Sequence, residues 1–198
     1  MVQKQTEPLL VHQLLDRNGN EIVGAPSATP IAGSSAAATV LLKQDRVRKV
    51  TVTLDPLSLA VTEALDYGSV AFVDLGDTNM MLLACESDLV VTKGGVVTGI
   101  VAATDLDMAI GTAAASATTL ATTMENVLDK LDVDALGLVV DFDGHSSAAT
   151  TMPLVIASGA ANKLYINAVP IGGILADDTL SLSGTVTLYY IDLGNVTS

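Results

Sequence analysis

Two stretches of this chain alternate apolar and polar residues strictly enough to limit what it can become. Residues 50–54 read VTVTL and residues 57–62 read LSLAVT; far downstream, residues 179–183 read TLSLS and residues 185–193 read TVTLYYIDL. A period of two puts the apolar side chains on one face of an extended strand and the polar ones on the other. Such strands persist only when a second layer, or closure of the sheet on itself, covers the apolar face. The two stretches also echo each other with their units in reversed order. Strands of equal exposure using the same residues account for the echo without an internal duplication.

Further runs read as strands: residues 69–75 (SVAFVDL), 80–85 (MMLLAC), 95–102, 106–110, 136–142, 154–157 and 163–168. Residues 89–92 continue the fourth run after a break at 86–88. Pro56 is expected to end the first strand, because it has no N–H to give a ladder. Gly184 is expected to mark a bulge or bend. Turns are read at GDTN (residues 76–79) and at Lys93-Gly94-Gly95. Short strands at these intervals, with no strand–helix alternation, predict an all-β fold: an antiparallel β-sandwich or jelly roll.

Residues 111–130 interrupt the pattern with GTAAASATTLATTMENVLDK. Leu120, Met124, Val127 and Leu128 fall at i, i+4, i+7 and i+8, the spacing of one helix face. Ser116 or Thr118 is placed to cap its start and Lys130 to suit its end. The spacing therefore predicts one short helix over about 118–130, with Thr119, Thr122 and Thr123 outward. A helix this short needs support, expected at the edge or open end of the sandwich.

Residues 1–38 read as an extended N-terminal arm or linker ahead of a β-sandwich domain at 39–198. RNGN at residues 17–20 is a turn signal between LLVHQLL and EIVG, a pattern for a small hairpin. Pro26 and Pro30, within a Pro/Ala/Gly/Ser stretch, exclude a regular helix there. The opening MVQKQTEP has no apolar core of a secretory signal, so export by that route is not expected. Residues 108–124 lack charges, yet their Thr and Ser leave them too weakly apolar to read as a membrane span.

Charge is unevenly spread. Lys4, Arg17, Lys43, Arg46, Arg48 and Lys49 face Glu7, Asp16, Glu21 and Asp45 in residues 1–50, whereas the rest of the chain holds three basic and eighteen acidic residues. The net charge is −13. An acidic body repels phosphates, so no nucleic-acid partner is expected. There is no Trp, with 2 Phe and 4 Tyr, which argues against a base-stacking platform or an aromatic sugar-binding face.

Candidate chemistry is sparse. Asp141-Phe142-Asp143-Gly144-His145, preceded by Asp132 and Asp134, begins like a calcium loop, but the position needing a bidentate Glu is Met152. The pattern reads as an acidic turn between strands, as do Asp105 with Asp107 and Asp177 with Asp178. His145 with Ser146 or Ser147 has no nucleophile elbow around it. His12 lies in the arm. Cys85, the single cysteine, sits in an apolar run and reads as a buried small side chain with no disulfide partner. GVVTG and PIGG lack the Lys-Ser/Thr of a phosphate loop. No catalytic, cofactor-binding or metal-ligating residue is assigned, and the chain is expected not to be an enzyme.

VTVTLDPLSLAVTEAL, then a hairpin-rich run, then GTAAASATTLATTMENVLDK and a closing LSLSGTVTLYYIDLGN together resemble small virion structural proteins of tailed, marine-type bacteriophages. The resemblance spans residues 49–195, with residues 111–124 and 180–195 as its motifs. It implies a capsid decoration (cement) protein with a jelly-roll core. Such a protein sits on the outer capsid surface as a homotrimer, with the major capsid protein as partner and the arm as clasp. Synthesis in the host cytoplasm, assembly into the virion and no membrane partner follow. A tail, neck or head-fibre component, or a receptor- or carbohydrate-binding virion module, is the alternative.

Overall fold

The computed structural model describes residues 29–30, 36–44, 47–76, 79–133, 137–146, 152–157 and 162–194. The strands are β1 (Thr29–Pro30), β2 (Ala36–Gln44), β3 (Val47–Thr62), β4 (Tyr67–Asp74), β5 (Asn79–Thr92) and β6 (Leu106–Gly111). They continue as β7 (Leu128–Val133), β8 (Val139–His145), β9 (Leu154–Ile156), β10 (Lys163–Pro170) and β11 (Asp178–Gly194). Every pairing is antiparallel. The all-β reading therefore holds.

The strands form one curled sheet in the order β7-β6-β10-β4-β3-β11-β5-β8, with β1 on β4, β2 on β3 and β9 on β5. β4 meets β3 at only two residue pairs, Val61 with Gly68 and Thr62 with Tyr67. The sheet folds over there, and its two halves face each other across the core in a sandwich-like arrangement. Its ends nearly close: Gly144 on β8 lies against Leu128 and Leu131 of β7. Phe72, Phe142, Tyr190 and a Leu/Val/Met/Ile majority fill the interior.

Three long strands, β3, β11 and β5, form the spine. β3 pairs with β11 so that Val52 faces Val186 and Leu59 faces Leu180. The runs that echo each other in the sequence lie on this ladder: VTVTL pairs with residues 184–188, GTVTL, and LSLAV with residues 178–182, DTLSL. On the outer face Thr51 Oγ1 and Thr187 Oγ1 meet at 3.1 Å.

Pro56 does not end its strand. Leu54 pairs with Gly184 and Leu57 with Leu182, so Asp55 and Pro56 together oppose Ser183 in a bulge. The proline sits where no ladder N–H is needed, and the extra residue returns Leu57 to the core face. Gly184, with φ 127°, closes the other side of the irregularity; a Cβ there would collide with the Asp88 carbonyl oxygen. Residues 86–88 likewise do not break β5, since Glu86, Ser87 and Asp88 all pair with β8 and β11. Residues 95–102, expected as a strand, form a loop instead.

The helix expected over 118–130 is absent. Thr122–Met124 makes a single 3-10 turn, and Leu128–Val133 is β7. The residues picked for one helix face are buried, but in two places. Leu120 and Met124 join Ala109, Ala115 and Val169 in a small second cluster, while Val127 and Leu128 enter the main core. Residues 112–126 thus form a strap across the outer face of β10 and β6, rather than a brace at an edge or end.

The strap is held by polar groups with no helical competitor. Asn167, fully buried on β10, donates from Nδ2 to the Ala113 and Met124 carbonyls at 3.0 and 2.7 Å and accepts the Ala115 N–H at 2.9 Å. Asn126 Oδ1 accepts the Thr112 N–H at 3.0 Å. Ala115 N–H also reaches Ser69 Oγ at 2.7 Å. These bonds satisfy backbone groups that a helix would have paired internally. Neither Ser116 nor Thr118 caps a helix, and Lys130 pairs with Asp107 at 2.9 Å instead of with a helix terminus.

Of the expected arm, Thr29–Pro30 pairs with β4, and Ala36–Ala38 belongs to β2 on β3. The RNGN hairpin, Pro26 and His12 lie outside the described residues.

Candidate interaction site

Four connections meet at one end of the sheet: residues 63–66 between β3 and β4, 93–105 between β5 and β6, 137–138 before β8, and 171–177 between β10 and β11. Backbone bonds lock them together. Lys93 N–H donates to the Leu138 carbonyl at 2.7 Å, Gly137 N–H to Ala102 at 2.9 Å, Ile171 N–H to Asp105 at 2.9 Å and Leu175 N–H to Thr98 at 2.8 Å. Glu63 N–H donates to Asp177 Oδ1 and Ile174 N–H to Asp66 Oδ1, each at 2.8 Å.

Two buried charged residues stiffen the largest loop. Asp178, 7% exposed, accepts Ile100 N–H at 2.8 Å and Val96 N–H at 3.2 Å on Oδ2, and Thr179 N–H at 2.7 Å on Oδ1. Gly94 and Gly99 pack so closely on this carboxylate that side chains there would strike it. Lys93, 3% exposed, donates from Nζ to the Thr104 carbonyl at 2.8 Å and the Ala102 carbonyl at 3.3 Å. Burial holds its ammonium below the usual lysine range, with nearby Asp105 acting the other way.

This stiff frame presents apolar side chains to solvent. Val97 is 89% and Leu175 77% exposed, and Leu65, Val96, Leu138, Val139 and Ile171 are also exposed. Beside them lies a shallow cleft of about 420 Å³ bordered by Asp66, Asp107, Thr118 and residues 169–173. Both of its carboxylates are already engaged, Asp66 by Ile174 N–H and Asp107 by Lys130.

The other sequence candidates separate. Asp141, Asp143 and His145 are not in a turn but on β8, exposed on its outer face, while Phe142 points into the core. In register they face Val90, Asp88 and Glu86. Asp132 lies on β7 opposite Asp107; Asp134 and Ser147 fall outside the described residues. Ser146 is used structurally: its hydroxyl accepts the Cys85 N–H at 2.7 Å, and its N–H donates to the Cys85 carbonyl at 2.8 Å. Cys85 is buried, and burial pushes its thiol up, with Glu86 adding to the effect. Among the described residues, no group of three or more His, Cys, Asp or Glu could hold a metal ion. Nor is any helix among them long and apolar enough to cross a membrane.

Asp178, Lys93 and Asn167 are the residues that sequence reasoning passed over as anchors. Asp177-Asp178 reads as a turn pair, and Lys93-Gly94-Gly95 as a turn. The only signal was glycine density around the lysine, which reflects the close approach of Asp178. No protein-family model matches the chain, and no curated protein matches it.

Proposed function

We propose that this chain is a non-enzymatic structural protein of a tailed-phage virion. In this reading it is a capsid decoration (cement) protein that sits on the outer capsid surface as a homotrimer and stabilises contacts between major capsid subunits. The observation that supports a binding role is the locked end of the sheet, where exposed valines and leucines stand on a frame stiffened by Asp178 and Lys93. Mobile loops would lose entropy on docking, whereas preformed tips lose little. The assignment to phage virions rests on the sequence resemblance over residues 49–195.

The test is solution mass and binding to empty expanded capsids, for the full chain and for a chain lacking residues 1–28. This deletion spares β1 and β2, which pair with the sheet. A trimer whose capsid binding depends on the deleted residues is the expected result. A monomer that ignores capsids in both forms rejects the reading. The cleft at Asp66, Asp107 and Thr118 favours the second reading, a ligand-binding virion module, which saturable binding of an oligosaccharide would establish.

A further inference from the structure

The tips at the locked end stand in a ring of carboxylates. Glu63, Asp66, Asp105, Asp107, Asp132 and Asp177 lie on the connections and strand ends that meet there, none of them buried. The two lysines at this end are occupied: Lys93 by two carbonyls and Lys130 by Asp107. An apolar centre with an acidic rim repels an anionic lipid surface and nucleic acid alike. A second copy of the chain is a poor match. Each copy carries −13. Of the bases at the opposite end whose side chains are described, Arg48 is bound to Asp192 at 3.0 Å and Lys49 lies over the Tyr189 ring, leaving Lys163.

We propose that Val97, Leu175 and their apolar neighbours dock into an apolar recess on a different protein, a recess rimmed by lysine and arginine. Apolar tips supply the contact area, and the acidic ring steers the encounter and sets register. The inference deepens the structural-binding reading above and rests on it. It requires no capsid in particular.

The test pans a random twelve-residue peptide library against the immobilised full chain. Enriched peptides should combine Leu, Ile, Val or Phe with two or more Lys or Arg. Their binding should fall about tenfold or more in a V97D/L175D double variant. It should also weaken as NaCl rises from about 50 mM to about 0.5 M. V155D, at an exposed site on β9, is the control and should bind like wild type; melting curves confirm that all variants fold. No enrichment, enrichment of uncharged or acidic peptides, or undiminished binding by the double variant overturns the proposal. So does a concentration-dependent dimer that the double variant abolishes, since the tips would then serve a second copy. Capsid binding separates the two readings. Capsids bound equally by wild type and double variant, with no basic peptides enriched, reject this inference and leave the capsid reading standing. Basic apolar peptides bound through the tips by a chain that ignores capsids do the reverse.

Discussion

Asn167 holds Met124 in place: its side-chain amide donates to the Met124 carbonyl at 2.7 Å while its ring of contacts to Ala113 and Ala115 pins the other end of the same strap. One buried side chain thus decides the path of residues 112–126. Replacing it with Leu leaves the Ala113 and Met124 carbonyls short of a partner under the strap, while the Ala115 N–H keeps Ser69 Oγ. Each such carbonyl costs about 1–3 kcal/mol when buried, and partial rescue by water brings the expected loss to about 3 kcal/mol. Denaturant unfolding measures that loss. Limited proteolysis should show new cleavage between residues 112 and 126 while the sheet core stays resistant.

Asp178 performs the equivalent task at the end of the sheet. Asp178→Ala removes the acceptor for three backbone N–H groups, those of Val96, Ile100 and Thr179. A stability loss of about 3 kcal/mol is expected, charged acceptors being the stronger kind. Amide exchange should accelerate at residues 94–104 and stay unchanged in the middle of β3. Uniform acceleration across the molecule would show that the carboxylate supports the whole fold and not this loop.

Ser87 points into the core from β5, and among the described residues its hydroxyl has no hydrogen-bond partner. Ser87→Ala removes that orphaned group at little loss of volume. The variant should be more stable than wild type by about 1 kcal/mol, read as a higher denaturant midpoint at unchanged m. A destabilised variant would mean that the hydroxyl is satisfied in solution.

Cys85 makes stability depend on alkaline pH. Its folded-state thiol is raised above the ordinary value of 9.0, by burial first and Glu86 second. The unfolded chain therefore gives up this proton before the folded one does. The thiol's contribution is intact below pH 9.0 and is lost as pH climbs beyond it. The slope from this one group approaches about 1.4 kcal/mol per pH unit. Cys85→Ala lacks this dependence. The stability gap between wild type and variant should be flat below pH 8 and shrink above pH 9. A gap constant through pH 10 would show that the thiol is solvated.

The alternation in residues 50–62 and 179–193 was enough, by itself, to determine an antiparallel β-protein and to say which side chains face inward. Extended backbone has a fixed period, so a residue's face is settled by counting. Gly184 was legible as an irregularity for the same local reason. The reversed echo showed only two strands of equal exposure; that they are the paired strands β3 and β11 was decided by the fold.

Tertiary structure decided the rest, wherever a local preference had a distant competitor. Leu120, Met124, Val127 and Leu128 fit a helix face, yet two separate apolar surfaces and the amide of Asn167, far along the chain, outweigh a short helix's marginal stability. Pro56 reads as a strand end until Ser183 lies opposite and turns the extra residue into a bulge. Asp178 and Lys93 read as turn residues until the fold brings loop amides and carbonyls within reach of their charges. The interaction end is an assembly of four connections distant in sequence. No single stretch carries its pattern, because its apolar tips and acidic rim become neighbours only when the sheet curls.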